Sequence, residues 1–543
     1  MLKVLTAEQM REVDRLTTER YGIPSIILME NAAHAVASVI TEKLGGSVKG
    51  KSILILCGKG NNGGDGAALA RILAAAGSFV SCILFGKVAN TKGDARTNFE
   101  ILRNTDFDTT AREGDKEKFR YHKLWFEEVG SIGEWLDEYA DRLNPDCIVD
   151  ALFGTGLSRE IGREYERILA TGWFRPDLQK REKPILRVAV DIPSGILADS
   201  GLLIGPHATV DVTVTFTAPK MANILPDASN CNGEVTVADI GTPPILVDLA
   251  ESQNYLADRQ NTEFFVNQVR FRSSSYKNKR GHALVIAGSE DYSGAAVLAG
   301  NAAMRSGVGL VTLAVSKAVK SEVAARALPD LIVRAFDDGK FEAKADAILI
   351  GCGLDANDSA NAAMFHKIVS ERSTPVIVDA GALWFVPSLA DKDVREPIEA
   401  PLILTPHEGE FLRLLGTDDK SVIEDRVAAV RNYATANNVI LVLKGERVLI
   451  GSPDGRVVFN PTGNSGLGKA GNGDTLAGIL VGFVAQAAKM NIDIFETVVA
   501  AVYIAGMAGD VAEKKYGKRV MTASDVRECL VDVFTELENS SQL

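Results

Sequence analysis

Ser52-Ile-Leu-Ile-Leu-Cys-Gly-Lys-Gly-Asn-Asn-Gly-Gly-Asp-Gly66 decides the fold of the first half of this 543-residue chain. A strand apolar at successive positions is buried on both faces and belongs to a mainly parallel sheet covered by helices. The glycine-rich turn that follows, opening a helix, aims free backbone N–H groups at an anion such as a pyrophosphate. Gly58, Gly60, Gly63, Gly64 and Gly66 are not spaced as the GxGxxG dinucleotide fingerprint, and no acid follows at the expected distance. A tight turn alone needs only the glycines; Asn61, Asn62 and Asp65 add oxygen ligands and donors.

Outward from this loop the pattern repeats. Phe79–Phe85, Cys147–Leu152, Leu186–Ile192, Val210–Thr217 and Glu234–Asp239 read as strands separated by amphipathic helices, a three-layer α/β domain. Thr6 and Gln9 form a capping box that starts a polar helix to Arg20, and the charged insertion Asp108–Asp141 reads as a solvated helical elaboration. Gly241-Thr-Pro-Pro244 ends the series. A second series follows: His282–Ala287, Gly309–Val315, Ala345–Ile350, Pro375–Val378, Leu402–Thr405, Val439–Leu443 and Arg447–Ile450. The expectation is two three-layer αβα domains, residues 1–245 and 276–543, joined by a linker over 246–275. They share no period, so they are a fusion and not a duplication.

A net charge of −12 argues against a sequence-independent grip on nucleic acid, so anionic ligands must be held by local loops. Six cysteines form no CxxC pair and six histidines are scattered, which points to reduced structural thiols and away from a zinc cluster. The first residues lack a secretory pattern. The apolar runs Thr475–Ala488 and Val498–Gly506 are shorter than the ~20 residues a bilayer span needs. These features lead us to expect a cytoplasmic protein with no membrane or nucleic-acid partner.

Asp150, Asp191, Ser194 and Lys220 each end or follow a predicted strand, where ligands bind in open α/β sheets, so they are expected to converge on the first loop. In the second half, Gly463-Asn-Ser-Gly-Leu-Gly-Lys-Ala470 matches GxxxxGK, but Ala470 replaces the Ser or Thr that would bind magnesium, so the P-loop reading fails. The segment continues as Gly471-Asn-Gly-Asp474 into an apolar helix. That arrangement places consecutive N–H groups around an anion with Asp474 beside it.

LTAEQMREVD, MENAA, CGKGNNGGDG, VDALFGTGL, DIPSG and FTAPK together resemble the N-terminal, Rossmann-like epimerase domain of the NAD(P)H-hydrate repair enzymes, over roughly residues 1–240. Ala33 stands where that family usually has glycine. The resemblance implies that Asn61, Asn62, Gly63, Gly64 and Asp65, with Gly154, Thr155, Gly156, Leu157, Ser158, Arg159 and Glu160, hold the hydrated dinucleotide. Asp191 would contact the same ligand, and Asn62, Asp150 and Ser194 would bind a potassium ion. C6 of the hydrate is a carbinolamine carbon: the ring nitrogen can expel the oxygen and take it back on the other face. A carboxylate is the expected proton shuttle, with Asp150 the first choice and Lys220 an orienting group.

Val285-Ile-Ala-Gly-Ser289, Gly351-Cys-Gly353, Asp379-Ala-Gly-Ala-Leu383, Thr405-Pro-His-Glu-Gly-Glu410 and Leu443-Lys-Gly-Glu-Arg-Val448 resemble the ribokinase-like NAD(P)H-hydrate dehydratase domain, over roughly residues 262–540. By that resemblance Ala295, Gly353, His407 and Asp474 contact the hydrate, with Asp474 as base. The nucleotide, ADP in preference to ATP, would lie on Lys444, Gly445, Glu446, Arg447 and Val448 and on Asn464, Ser465, Gly466, Leu467, Gly468, Lys469, Ala470, Gly471, Asn472 and Gly473. Magnesium would accompany it near Glu408 and Glu410. His407 also reads as a helix-start residue after Pro406. The expected substrates are NADHX and NADPHX, in a homo-oligomer. The competing reading is a ribokinase-like small-molecule kinase with a regulatory N-terminal binding domain.

Overall fold

The structure is a computed structural model that describes residues 1–105, 123–139, 143–169, 174, 184–336, 344–387 and 399–540. The chain divides into two compact units, Lys3–Ser252 and Gln253–Leu543, with Met1–Leu2 clustering with the second.

The first unit is built on seven strands, β1 (Ser52–Cys57), β2 (Phe79–Phe85), β3 (Leu124–Val129), β4 (Cys147–Ala151), β5 (Leu186–Val190), β6 (Val212–Phe216) and β7 (Glu234–Ala238). They lie in the order β3-β2-β1-β4-β5-β6-β7, every pair parallel. This is a doubly wound sheet whose strand order reverses between β1 and β4. The apolar run of β1 divides by parity: Ile53, Ile55 and Cys57 enter one core and Leu54 and Leu56 another, on the opposite face. Thr6 caps the helix Ala7–Tyr21 as expected, its Oγ1 accepting from Gln9 N at 3.1 Å while its N–H donates to Gln9 Oε1 at 2.9 Å.

The segment expected to be a helical insertion needs correction. Residues 106–122 and 140–142 lie outside the described set, but Leu124-Trp-Phe-Glu-Glu-Val129 is edge strand β3, in parallel register with β2, and a helix follows at Ile132–Tyr139. Adjacent Glu127 and Glu128 disguise the strand. An edge strand tolerates them because their carboxylates bond outward, Glu128 to Arg103 and to the Val88 N–H, Glu127 to Trp125 Nε1.

In the second unit β8 (Asn254–Leu256), β9 (His282–Ile286), β10 (Leu310–Ser316), β11 (Ile332–Phe336), β12 (Ala347–Ile350), β13 (Val376–Val378), β14 (Leu402–Leu404), β15 (Ile440–Leu443), β16 (Leu449–Gly451) and β17 (Val457–Phe459) are ordered β8-β17-β16-β15-β14-β13-β12-β9-β10-β11. The strands from β15 through β9 to β11 are parallel; β16 is antiparallel to both neighbours. The order reverses between β9 and β12. Residues 246–275 are not an open connector: they hold the helix Pro244–Leu249 in part, strand β8, and the helix Arg259–Gln268, whose Phe265 stacks on Phe483. The helix Ile494–Tyr516 is long and apolar enough to cross a membrane by composition alone, yet 67% of its most apolar window is buried, as a core helix requires.

Candidate active sites

At the β1/β4 switch point of the first unit a cavity of about 580 Å³ opens. Asn61 begins the helix Asn61–Ala75 behind Gly60, which offers no side-chain cap, so the first N–H groups remain free for a ligand. Gly58 is required by packing, since a Cβ there would stand 2.0 Å from Leu152 O. Asn61, Asn62 and Asp65 line the cavity with Gly154, Thr155, Gly156, Leu157, Ser158 and Arg159; Gly63, Gly64 and Glu160 stand off its wall.

Asp191 and Lys220 form the polar centre. Asp191 follows β5 with φ 66°, a left-handed conformation that costs a non-glycine residue free energy. Its Oδ1 accepts from Lys220 Nζ at 2.7 Å and from Thr215 Oγ1 at 2.9 Å. Lys220, 2% exposed, also donates to Phe216 O at 3.0 Å, so the buried ammonium is fully engaged. Two more carboxyls face the same space. Burial, then the neighbouring Asp191 and Asp14, hold Asp65 well above the usual carboxylate range. Burial pushes Asp14 up to about 6, opposed by Lys220 and reinforced by Asp191.

Asp150 is not on the cavity wall. Its Oδ1 accepts from Ser194 Oγ at 2.6 Å and Leu152 N at 3.2 Å, and its Oδ2 from Ser194 N at 2.7 Å. Burial raises it to about 6 against those bonds. Phe153 N–H reaches Ser194 Oγ at 3.0 Å, and Asn62 packs on the adjacent Gly154, its Nδ2 buried without a hydrogen-bond partner among the described residues. Carboxylate, hydroxyl and amide oxygens of this kind suit a hard cation, and a fully buried carboxylate with no cationic partner among the described residues fits such an ion.

In the second unit Gly353, with φ 67°, sits against Ala295 so closely that a Cβ would lie 2.8 Å from the Ala295 Cβ. Cys352, Asp379 and Asp474 gather ligand atoms within 4.8 Å of one another. Asp474 occupies the first turn of the helix Asn472–Met490 behind Gly471 at φ 88°. Burial and the Asp379 charge raise its carboxyl to about 6, against Cys352 and Lys444. Asp379, absent from the sequence-based site, is central: its Oδ1 accepts from Lys444 Nζ at 2.7 Å and Thr405 Oγ1 at 2.8 Å, and Ala380 beside it has φ 47°. A Cβ on Gly473 would lie 3.7 Å from Lys444 Nζ, so the two predicted nucleotide segments meet.

His407 is the N-cap of the helix Glu408–Leu415, in a capping box with Glu410, and is 61% exposed. Lys469 does not face the anion loop: its Nζ donates to Arg519 O at 2.6 Å and Met521 O at 2.9 Å, bracing the turn. Arg447 likewise donates to Pro461 O at 2.8 Å. Asp14 and Asp379 were both missed as site residues. The available signal for Asp14 was its i, i+4 spacing from Met10 on a polar helix.

A doubly wound sheet with a carboxyl-lined cavity and a second α/β unit with an aspartate at an anion-binding helix start define a two-site enzyme of nucleotide-like substrates. Residues 25–222 match the family described as YjeF-related protein N-terminus, and residues 283–531 that described as NAD(P)H-hydrate dehydratase. A bifunctional NAD(P)H-hydrate repair enzyme from Moorella thermoacetica is 35% identical over 98% of this chain and 97% of its own. One from Salinibacter ruber is 33% identical over 98% and 96%. Among solved structures, the ADP/ATP-dependent NAD(P)H-hydrate dehydratase from Bacillus subtilis co-crystallised with ATP and Mg2+ is 30% identical, covering 52% of this chain and 98% of its own with a TM-score of 0.47. The chain belongs to the family of bifunctional NAD(P)H-hydrate repair enzymes.

Proposed function

We propose that the first unit interconverts the R and S hydrates of NADH and NADPH, and that the second dehydrates the S form with ADP in preference to ATP. The observation that carries this reading is the presence, in one chain, of a carboxyl-lined cavity at one switch point and Asp474 at a helix start at the other. An epimer-selective dehydratase needs the first activity to supply its substrate.

In the first site the nitrogen lone pair expels the C6 oxygen as the cavity delivers a proton. Water then adds to the other face as a carboxylate takes a proton. Asp191, on the wall and held by Lys220, is the carboxylate for this exchange, in place of Asp150, whose oxygens are bound to Ser194 and the Leu152 N–H. Asn62, Asp150 and Ser194 would hold potassium, which supplies a fixed positive charge at the end of β4.

In the second site hydroxide is a poor leaving group. Asp474, ionised above pH ~6, takes the C6 hydroxyl proton as that oxygen attacks the terminal phosphorus of the nucleotide. The N–H groups of the first helical turn, behind Gly471, receive the transferred phosphoryl. The ring nitrogen then expels phosphate, and loss of a C5 proton restores the dihydropyridine, so each turnover yields NAD(P)H, phosphate and AMP from ADP. Magnesium would neutralise the nucleotide's phosphates near Glu408; Glu410 is engaged as a capping-box partner.

The test is product analysis after incubation with S-NADHX and either nucleotide. One AMP and one phosphate per NADH formed, faster with ADP than ATP, is the expected result. A stable phosphorylated organic product would favour the small-molecule kinase reading.

A further inference from the structure

Inverting C6 requires a proton to be given to the departing oxygen and another to be taken from the water that returns, and a single carboxylate fixed on one side of the ring serves both poorly. Asp191 reaches the cavity from the end of β5. Asp14 reaches it from a different element, the helix Ala7–Tyr21. That helix is otherwise ordinary: Ala7, Met10, Val13 and Thr17 form its buried face, and Thr17 Oγ1 is satisfied by Val13 O at 2.8 Å. Asp14 lies on the same face, yet its Oδ1 is buried with no hydrogen-bond partner among the described residues. A structural aspartate facing a core binds a backbone N–H or a basic side chain. A buried carboxyl oxygen left open at a cavity wall costs folding free energy that the nearby Lys220 charge returns only in part, which marks a group kept for a ligand.

We propose that Asp14 is the second catalytic carboxyl of the hydrate epimerase, paired with Asp191 on the wall of the same cavity. As C6–O breaks, one carboxylic acid gives its proton to the leaving oxygen, releasing water and leaving a carboxylate and the cationic ring. As water adds to the opposite face, the other carboxylate takes its proton and C6–O re-forms. The proton count is unchanged over the cycle, and no oxidant or co-reactant is consumed. The charged groups that bear on Asp14 are Asp191, Asp65 and Lys220, and Arg11 of its own helix, Lys59, Asp94 and Arg159 also line the cavity. Lys220 bonds Asp191 directly, so the two carboxyls sit in different electrostatic surroundings, as acid and base of one reaction require.

The assignment rests on the epimerase reading of this cavity, and the experiment separates the two. Full-length wild type, Asp14→Asn and Asp14→Glu are incubated at pH 8 with purified R-NADHX without nucleotide, and the approach to the S form is followed by chromatography above the uncatalysed rate. Asp14→Asn should lower kcat about 100-fold or more with KM changed less than about threefold, and Asp14→Glu should recover part of kcat. The acidic limb of the kcat profile, near pH 6 where Asp14 titrates, should change shape in Asp14→Asn. Dehydration of S-NADHX with nucleotide in the same preparations should be unchanged. An Asp14→Asn kcat within threefold of wild type, or a rise in KM alone, overturns the proposal. A kcat loss that Asp14→Glu does not relieve, with an unchanged pH profile, also overturns it and leaves Asp14 a packing residue. Wild type that does not epimerise at all overturns the reading of the cavity itself.

Discussion

Lys220 makes Asp191 tolerable. The aspartate combines a left-handed backbone with burial, and its charge is matched by one ammonium at 2.7 Å. Lys220→Met should therefore destabilise the first unit by roughly 3–5 kcal/mol, because it leaves a buried carboxylate uncompensated, and urea unfolding measures it. Asp474 behaves in the opposite sense. Its folded-state pKa is about 6, above the ordinary 3.8, so its contribution to stability is fully present below about pH 4 and is lost as pH rises through 6. Asp474→Asn should stabilise the second unit at pH 8 by on the order of 1–2 kcal/mol, seen as a higher melting temperature, and not at pH 4, while abolishing dehydration. For the wild type, dehydration should fall as pH drops below about 6, because the base becomes protonated. These residues were legible in the sequence as motif positions. Their division of labour was not: Asp150 and Asp191 both end strands, and only the bonds from Ser194 and from Lys220 separate a buried anchor from a cavity group.

At the scale of elements, β1 fixes the first unit because its parity serves both cores at once. Leu54→Ala, at a position 1% exposed, should cost about 2–5 kcal/mol in urea unfolding, since the cavity lies between a central strand and its covering layer. Strands such as β1, β4 and β9 could be read from sequence because a doubly covered strand is continuously apolar. β3, β8, β11 and β17 could not. Ile332 and Arg334 of β11 are exposed, β8 and β17 span three residues each, and β3 carries paired glutamates, so neither continuous apolarity nor clean alternation survives. Loops at the carboxyl ends are strained in both units, at Asp191, Thr217 and Ala380, and such strain follows from tertiary contacts that no local pattern encodes.

At the scale of the whole molecule, two unrelated α/β units carry complementary halves of one repair process, and the fusion was legible because the two strand series share no period. The boundary was less so: residues 246–275 read as a linker, yet β8 pairs with β17 in the second sheet. The central claim is that one chain converts either hydrate epimer to NAD(P)H, with Asp191 needed only for the R form and Asp474 for both. The direct measurement is 340 nm absorbance recovered from pure R-NADHX and pure S-NADHX with ADP, magnesium and potassium, for wild type, Asp191→Asn and Asp474→Asn. The account predicts full recovery from both epimers in wild type, recovery from S alone beyond the uncatalysed rate in Asp191→Asn, and none in Asp474→Asn. Equal recovery from R and S in Asp191→Asn, or any nucleotide-dependent recovery in Asp474→Asn, contradicts it.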